Sequence, residues 1–306
     1  MKPFQDASYH SSIRQFMSKS RVIGMATLIA LILLYAFIYE SARLPTLRIS
    51  NQPSEPTQQP LEPPALKAAV IIEGRNSANL IPLILHFSSV LGPEWPIKVL
   101  HTTQNGKQFS FSPAFRRQVS SGHIMLRQLP SYVSWTSRAA VSEFFTQPSL
   151  YHSLAPYKHL LFFQGDSILC ANSRRRVEDF LQYDFVGAPI NPLKGHGMNG
   201  GLSLRNREKM LEVLDRHNFT GDPEDGSRHE DQWFIYKLEG LPRGPNDESG
   251  AHLPSPEVAL EFSAETSWTR HPFGLHQVSR WQPSHVKELD NWCPEYRLAE
   301  IEPISS

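Results

Sequence analysis

Residues 68–101, AAVIIEGRNSANLIPLILHFSSVLGPEWPIKVLH, decide the fold class. Ala68–Glu73 is a continuous apolar run of strand length, Asn79–Leu91 carries apolar residues at helical spacing, and Ile97–His101 is apolar again. Asn79 stands where a helix cap is expected, and Pro82 falls in the first turn, where its missing N–H does no harm. The segment reads as strand, helix, strand. Apolar runs without polar alternation belong to strands covered on both faces, which points to a mostly parallel sheet.

The pattern continues toward the carboxyl terminus. Strand-like runs recur at Ile124–Leu129, His159–Gln164, Phe185–Ala188 and Gly201–Leu204. A helix is expected over Asn206–His217, with Met210, Leu211 and Leu214 on its inner face. Another starts at Ser255-Pro256-Glu257, a serine cap, a proline at the first helical position and an acid in the first turn. No repeat of solenoid period is present. Residues 68–306 therefore read as one α/β domain, in which ligands bind beyond the carboxyl ends of the strands.

Upstream of this domain, Val22–Tyr39 runs 18 residues without a charged side chain or proline. As a helix it would measure roughly 27 Å, close to the bilayer hydrocarbon thickness. Lys2, Arg14, Lys19 and Arg21 against Asp6 give residues 1–21 a charge of +3, while Glu40, Arg43, Arg48 and Glu55 cancel on the other side. The positive-inside bias then keeps residues 1–21 cytosolic and sends the rest across. A cleaved signal peptide, with Ser41-Ala42 as its cut site, is the alternative, although its apolar core would be longer than usual. Residues 40–67 follow as a stem. Ser50–Pro64 places five prolines among Gln, Ser, Thr and Glu, which favours an extended, semi-rigid chain with no face to bury. Tail, span, stem and domain make a type II layout, with the lipid bilayer as the partner of residues 22–39.

The composition excludes other classes. The 306 residues carry 30 basic and 30 acidic side chains, so nothing marks a nucleic-acid partner. Cys170 and Cys293 are too few for a disulfide-stapled scaffold or a structural zinc site, and the sequence leaves open whether they pair. HExxH, CxxC, GxSxG and Walker patterns are missing, and no GxGxxG follows the first strand.

Candidate chemistry lies just after the strands. In Phe162–Ser167 (FFQGDS) an apolar strand ends on a turn with one acid, and Asp166 there either holds a hard divalent cation or shapes the turn. In Asn199–Arg205 (NGGLSLR) the paired glycines either let a ligand approach the backbone or form a tight turn into a strand. Glu230-Asp231 opens an apolar segment. One of these acids can serve as a general base, or both can stabilise a helix N-terminus. Arg75, after the first strand, either grips a phosphate or forms a surface salt bridge. His276 is a candidate metal or diphosphate partner, or one structural histidine among thirteen.

The order of these segments resembles the GT-A-type, nucleotide-sugar-dependent glycosyltransferases. It is most similar to an uncharacterised domain family within them carrying VIIExR, FQxDS, YDFxGAP, GNGGLSLR, EDxxF and PFGxH blocks. The resemblance covers roughly Ala68–Val278. It implies a GT-A-like single domain with a mostly parallel, Rossmann-like central sheet, preceded by one transmembrane helix. It implies donor contacts at Glu73, Arg75, Gln164 and Asp166, and a sugar- and acceptor-lining segment at Asn199, Gly200 and Gly201. Asp231 would be the base, beside Glu230. Asp166 and His276 would hold a divalent cation, Mn2+ or Mg2+. The first acid of the family's DxD motif is missing, since Gln164-Gly165 precedes Asp166.

A nucleotide-sugar donor is thus the implied partner, with a glycan, protein or lipid acceptor and an inverting hexosyltransferase-like reaction. Such enzymes commonly reside in the Golgi or endoplasmic reticulum with a luminal domain. Asn218-Phe219-Thr220 is an N-glycosylation sequon that would be luminal there. A catalytically silent luminal domain that binds glycans or partner proteins is the rival expectation. A metal-dependent hydrolase lacks the ligand cluster it would need.

Overall fold

The computed structural model describes residues 67–131, 133, 137–221, 229–242 and 250–299. The expected tail, membrane span and nearly all of the stem lie outside the described residues. Among the described residues no helix is long and apolar enough to cross a membrane. The stem was expected to run to residue 67, but Lys67 already pairs as the first residue of the first strand.

Six strands form the central sheet: β1 (Lys67–Glu73), β2 (Ile97–His101), β3 (Ile124–Gln128), β4 (His159–Phe163), β6 (Phe185–Pro189) and β7 (Met198–Asn206). Their order is β3-β2-β1-β4-β7-β6. The first four run parallel, while β7 is antiparallel to both its neighbours. The mostly parallel sheet read from the sequence is therefore present, with one reversed strand that continuous apolar runs do not announce. Residues Ala68–Ile71 of β1 are fully buried, as sheet coverage on both faces requires.

Helix α1 (Leu80–Leu91) crosses between β1 and β2, and Phe87 stacks on Phe163 of β4 with ring centroids 3.8 Å apart. Burying a side chain of that size stabilises the fold by about 1.5–3 kcal/mol. The expected cap differs. Asn79 has helical φ and ψ and its side chain makes no capping bond, and Pro82 is the third helical residue. Helix α2 (Pro113–Ser120) precedes β3, and α3 (Arg138–Phe145) and α4 (Pro148–Ser153) lead into β4. Helix α5 (Arg207–Arg216) is capped by Asn206, whose side chain accepts from the Glu208 amide. It buries Met210 and Val213, with Leu211 and Leu214 half-buried against the same core. Helix α6 spans Glu230–Glu239, and α7 (Pro256–Phe262) begins as the sequence predicts, with Ser255 accepting from Val258 N.

A second, small sheet joins β5 (Ser167–Leu169), β8 (Ser263–Ala264) and β9 (Gly274–His276) in the order β5-β9-β8. Its register sets Ser167 opposite His276. Helix α8 (Val286–Trp292) ends beside it, where Cys293 forms a disulfide with Cys170 across 123 positions of sequence. The pairing that the sequence left open is thus present.

Candidate functional site

A cleft of about 660 Å³ opens where β1 and β4 end, the position expected for a ligand site in such a sheet. Its walls bring together Glu73 and Arg75 after β1, Gln164 and Asp166 after β4, and Asn199 and Gly201 from β7. Glu230 and Asp231 from α6 and His276 from β9 complete the set. Two expected residues stand apart. Gly200 is buried behind the wall, and Asn218 is exposed in the segment after α5, where its Oδ1 accepts from Thr220 N and Oγ1.

The glycine pair reaches the cleft through an irregularity in β7. Gly187 of β6 pairs with Ser203, but the next residue, Ala188, pairs with Asn199, so Gly200, Gly201 and Leu202 have no partner in β6. Such a bulge redirects the backbone toward a site. The O of Gly201 accepts from Gln164 N at 2.9 Å and from Ser167 Oγ at 2.6 Å, which fastens the bulge to the end of β4. A Cβ on Gly201 would lie 2.2 Å from His276 Nε2, so only glycine fits there.

His276 is fully buried between two carboxylates. Its Nδ1 lies 3.2 Å from Glu265 Oε1 and its Nε2 3.3 Å from Asp166 Oδ1. Burial alone would lower the imidazole pKa, but the two carboxylates outweigh it and raise it to about 10. Asp166 is the mirror case. Burial would raise its pKa, and His276 together with the Gln277 side chain holds it down to about 2.

Despite their proximity, Asp166 Oδ1 and His276 Nε2 are both buried atoms without a hydrogen-bond partner. A divalent cation could use this orphaned oxygen and imidazole nitrogen only by displacing the proton that the two carboxylates hold on His276, because a ligating imidazole is neutral. The donor set is small. Among the described residues no group of three or more His, Cys, Asp or Glu side chains is arranged to hold a metal. A cation here would need the rest of its shell from substrate oxygens and water, a mode that suits Mg2+ beside phosphates.

Glu230 and Asp231 open α6, and each is more than nine-tenths buried. Asp231 Oδ2 accepts from Gly200 N at 2.7 Å and Oδ1 from Gln232 N at 2.8 Å. Glu230 Oε2 accepts from Ser142 Oγ of α3, and its Oε1 lies 3.5 Å from Nη2 of Arg205. Burial first, and then the Glu230 carboxylate beside it, push the Asp231 carboxyl up to about 7, against the two amides and Arg205. A carboxylate that titrates near neutrality on a cleft wall is suited to accept a proton.

At the other end of the cleft Arg75 is not free to grip a phosphate with its whole fork. Its Nε and Nη2 donate to the two oxygens of Glu73, each at 2.9 Å. Arg75 thus forms a salt bridge to Glu73, and both Glu73 oxygens are occupied.

A family model described as a protein of unknown function, DUF5672, matches residues 123–276, half of the chain. The chain belongs to the DUF5672 family. No curated protein matches it. Among solved structures it is similar to the apo form of the glycosyltransferase GlyE of Streptococcus pneumoniae TIGR4, at 13% identity and TM-score 0.44. That likeness covers 70% of this chain and 55% of GlyE, so the chain spans about half the length of that protein. It is also similar to the galactosyltransferase LgtC in complex with donor and acceptor sugar analogues, at 14% identity and TM-score 0.41, over 78% of this chain and 98% of LgtC. Likenesses of this degree assign no reaction to the chain.

The DUF5672 match ends on His276 and holds Asp166, the glycine pair and the two acids of α6, whereas Glu73 and Arg75 enter the cleft from outside it. Three side chains of this DUF5672 site escape a reading of the sequence. Glu265 follows a two-residue strand and carries no motif. Gln277 reaches back to Asp166 Oδ2 at 2.8 Å. Arg205 closes the NGGLSLR run, and the one charged residue of that strand was the available signal.

Proposed function

We propose that this DUF5672 chain transfers a sugar from a nucleotide-sugar donor to an acceptor hydroxyl, with inversion at the anomeric carbon. The observation that carries the reading is the meeting, in one cleft, of Asp166, His276, Gly201 and Asp231. These residues lie in the segments that resemble nucleotide-sugar glycosyltransferases, and they are scattered over more than a hundred positions of sequence.

In this reading the donor lies across the bulge at Asn199–Gly201, with its diphosphate toward Asp166 and Gln164 and its nucleoside toward Glu73 and Arg75. Asp231 takes the proton of the acceptor hydroxyl. The acceptor oxygen attacks the anomeric carbon while the bond from that carbon to the diphosphate oxygen breaks, and the electron pair leaves with the nucleoside diphosphate. General-base catalysis of this kind contributes about 10²–10⁴-fold. A divalent cation held by Asp166 and His276 would supply charge neutralisation for the diphosphate. Residues 22–39 would anchor the chain as a type II protein of the Golgi or endoplasmic reticulum, with the domain luminal.

A silent binding domain is the second reading, and the small donor set at Asp166 and His276 favours it. The two are separated by incubating the full-length protein with a panel of nucleotide sugars, with and without Mn2+, and following release of nucleoside diphosphate. Turnover that Asp231→Asn lowers by orders of magnitude, with donor binding kept, supports the transferase. No turnover under any condition together with glycan binding supports the silent domain.

A further inference from the structure

Arg205 lies behind the wall of the cleft, on β7, and no part of it reaches solvent. Its guanidinium carbon stands 4.9–5.8 Å from the ring centroids of Phe185, Phe162, Phe145 and Phe234. Desolvating a charge costs several kcal/mol, and an apolar side chain of similar volume commonly packs as well or better. A guanidinium inside four phenyl rings is therefore a poor choice for packing alone. Its polar edge shows what it serves.

Nε donates to Ser203 Oγ at 3.0 Å, and that hydroxyl donates to the O of Gly200 at 2.9 Å. The N–H of the same Gly200 donates to Asp231 Oδ2. Nη1 is held by Tyr151 Oη at 3.2 Å, and Nη2, which has no hydrogen bond, faces Glu230 Oε1 at 3.5 Å. A Cβ on Gly200 would lie 2.5 Å from Nη2 and 2.9 Å from Asp231 Cβ. The arginine is thus linked to the carboxylate pair by charge, through Glu230, and by a hydrogen-bonded relay, through Ser203 and Gly200.

We propose that Arg205 is the positioning residue of the Glu230–Asp231 pair, ion-paired to Glu230 and, through Ser203 and Gly200, holding the Gly200 amide on Asp231, so that Asp231 is set in the cleft wall to take an incoming proton. The assignment rests on the base role proposed for Asp231. Other polar or titratable groups around the pair are Tyr151 of α4, Arg138 and Ser142 of α3, His229 at the start of α6, and His276 and Asp166 in the same cleft. Among the described residues, Arg205 is the cation that forms an ion pair with Glu230.

The test reads protonation directly and needs no turnover. The full-length protein carrying 13C-labelled aspartate carboxyls is titrated by infrared difference spectroscopy, and the Asp231 band is identified by its loss in Asp231→Asn. Arg205→Met is expected to raise the midpoint of that band by about one pH unit or more. Arg205→Lys, which keeps the charge, is expected to leave it nearer wild type, and Glu230→Gln to lower it. Glu230→Gln conserves volume and decides the question if Arg205→Met does not fold. A midpoint unmoved in a folded Arg205→Met, a midpoint not lowered in Glu230→Gln, or no titrating band assignable to Asp231 overturns the proposal. Absence of sugar transfer, by contrast, would sink the enzyme reading and leave these midpoints as they are.

Discussion

The amide of Gly200 lies 2.7 Å from Oδ2 of Asp231, and nothing larger than a hydrogen atom fits between that glycine and its neighbours. Gly200→Ala would drive a methyl group into the Arg205 guanidinium and the Asp231 side chain, both held by buried contacts. Overpacking of this kind costs about 1–3 kcal/mol. Urea denaturation of the two proteins measures it, and an unchanged midpoint would mean that the bulge at 200–202 yields freely.

Stability should carry the mark of Asp231. Its carboxyl is raised from an ordinary 3.8 to about 7, by burial and by Glu230. Between about pH 4 and 7 the folded chain keeps a proton that the unfolded chain has released. This group therefore makes stability fall as pH rises through that window, and its contribution levels off above 7. Asp231→Asn removes the slope, although its amide nitrogen sets a donor against one of the two backbone amides that Asp231 accepts from. Denaturation midpoints for both proteins across the window check this, and parallel curves would contradict it.

How much of this was legible in the sequence follows from how local each signal is. The β1-α1-β2 unit was readable because apolar periodicity and strand length are properties of adjacent residues. Nine of the expected site residues share the cleft wall because they follow strands or open a helix, which motif order exposes. Glu265 was not legible, since only the β5-β9-β8 register brings it to His276. The direction of β7 is likewise set by pairing, and the Asn79 cap failed because the preceding turn uses Ser77, whose Oγ accepts from Asn79 N.

On the proposed function, a cation held by Asp166 and a deprotonated His276 would take most of its shell from its ligand. Mn2+ should therefore bind weakly alone and about tenfold or more tighter with a nucleoside diphosphate present, and reciprocally. Electron paramagnetic resonance of free Mn2+ measures this without turnover. Asp166→Asn should abolish the diphosphate-dependent gain. Equal Mn2+ affinity with and without the diphosphate would remove the shared site.

The Cys170–Cys293 disulfide closes a loop across 123 positions and fastens the end of α8 to β5, one strand from His276. Cross-links over long loops stabilise by about 2–5 kcal/mol. Replacing both cysteines by serine should lower the thermal midpoint by several degrees, and the loss should match that caused by reduction of the wild type. A double variant as stable as the oxidised protein would show that packing around α8 suffices.

That disulfide also bears on where the domain resides. Stable disulfides persist in oxidising compartments, and the charge of +3 on residues 1–21, set against the balanced charges of residues 40–55, sends the domain into one if 22–39 spans. The type II proposal thus predicts two linked results. A reporter at the carboxyl terminus should be shielded from protease in sealed microsomes while one at the amino terminus is digested, and Cys170 and Cys293 should resist thiol labelling until reduced. Moving the charge, by Lys19→Glu and Arg21→Glu together, should invert part of the population, and the inverted molecules should carry free thiols. Digestion of the carboxyl-terminal reporter in the wild type would defeat the type II layout. Free thiols in the shielded domain would separate the disulfide from the topology.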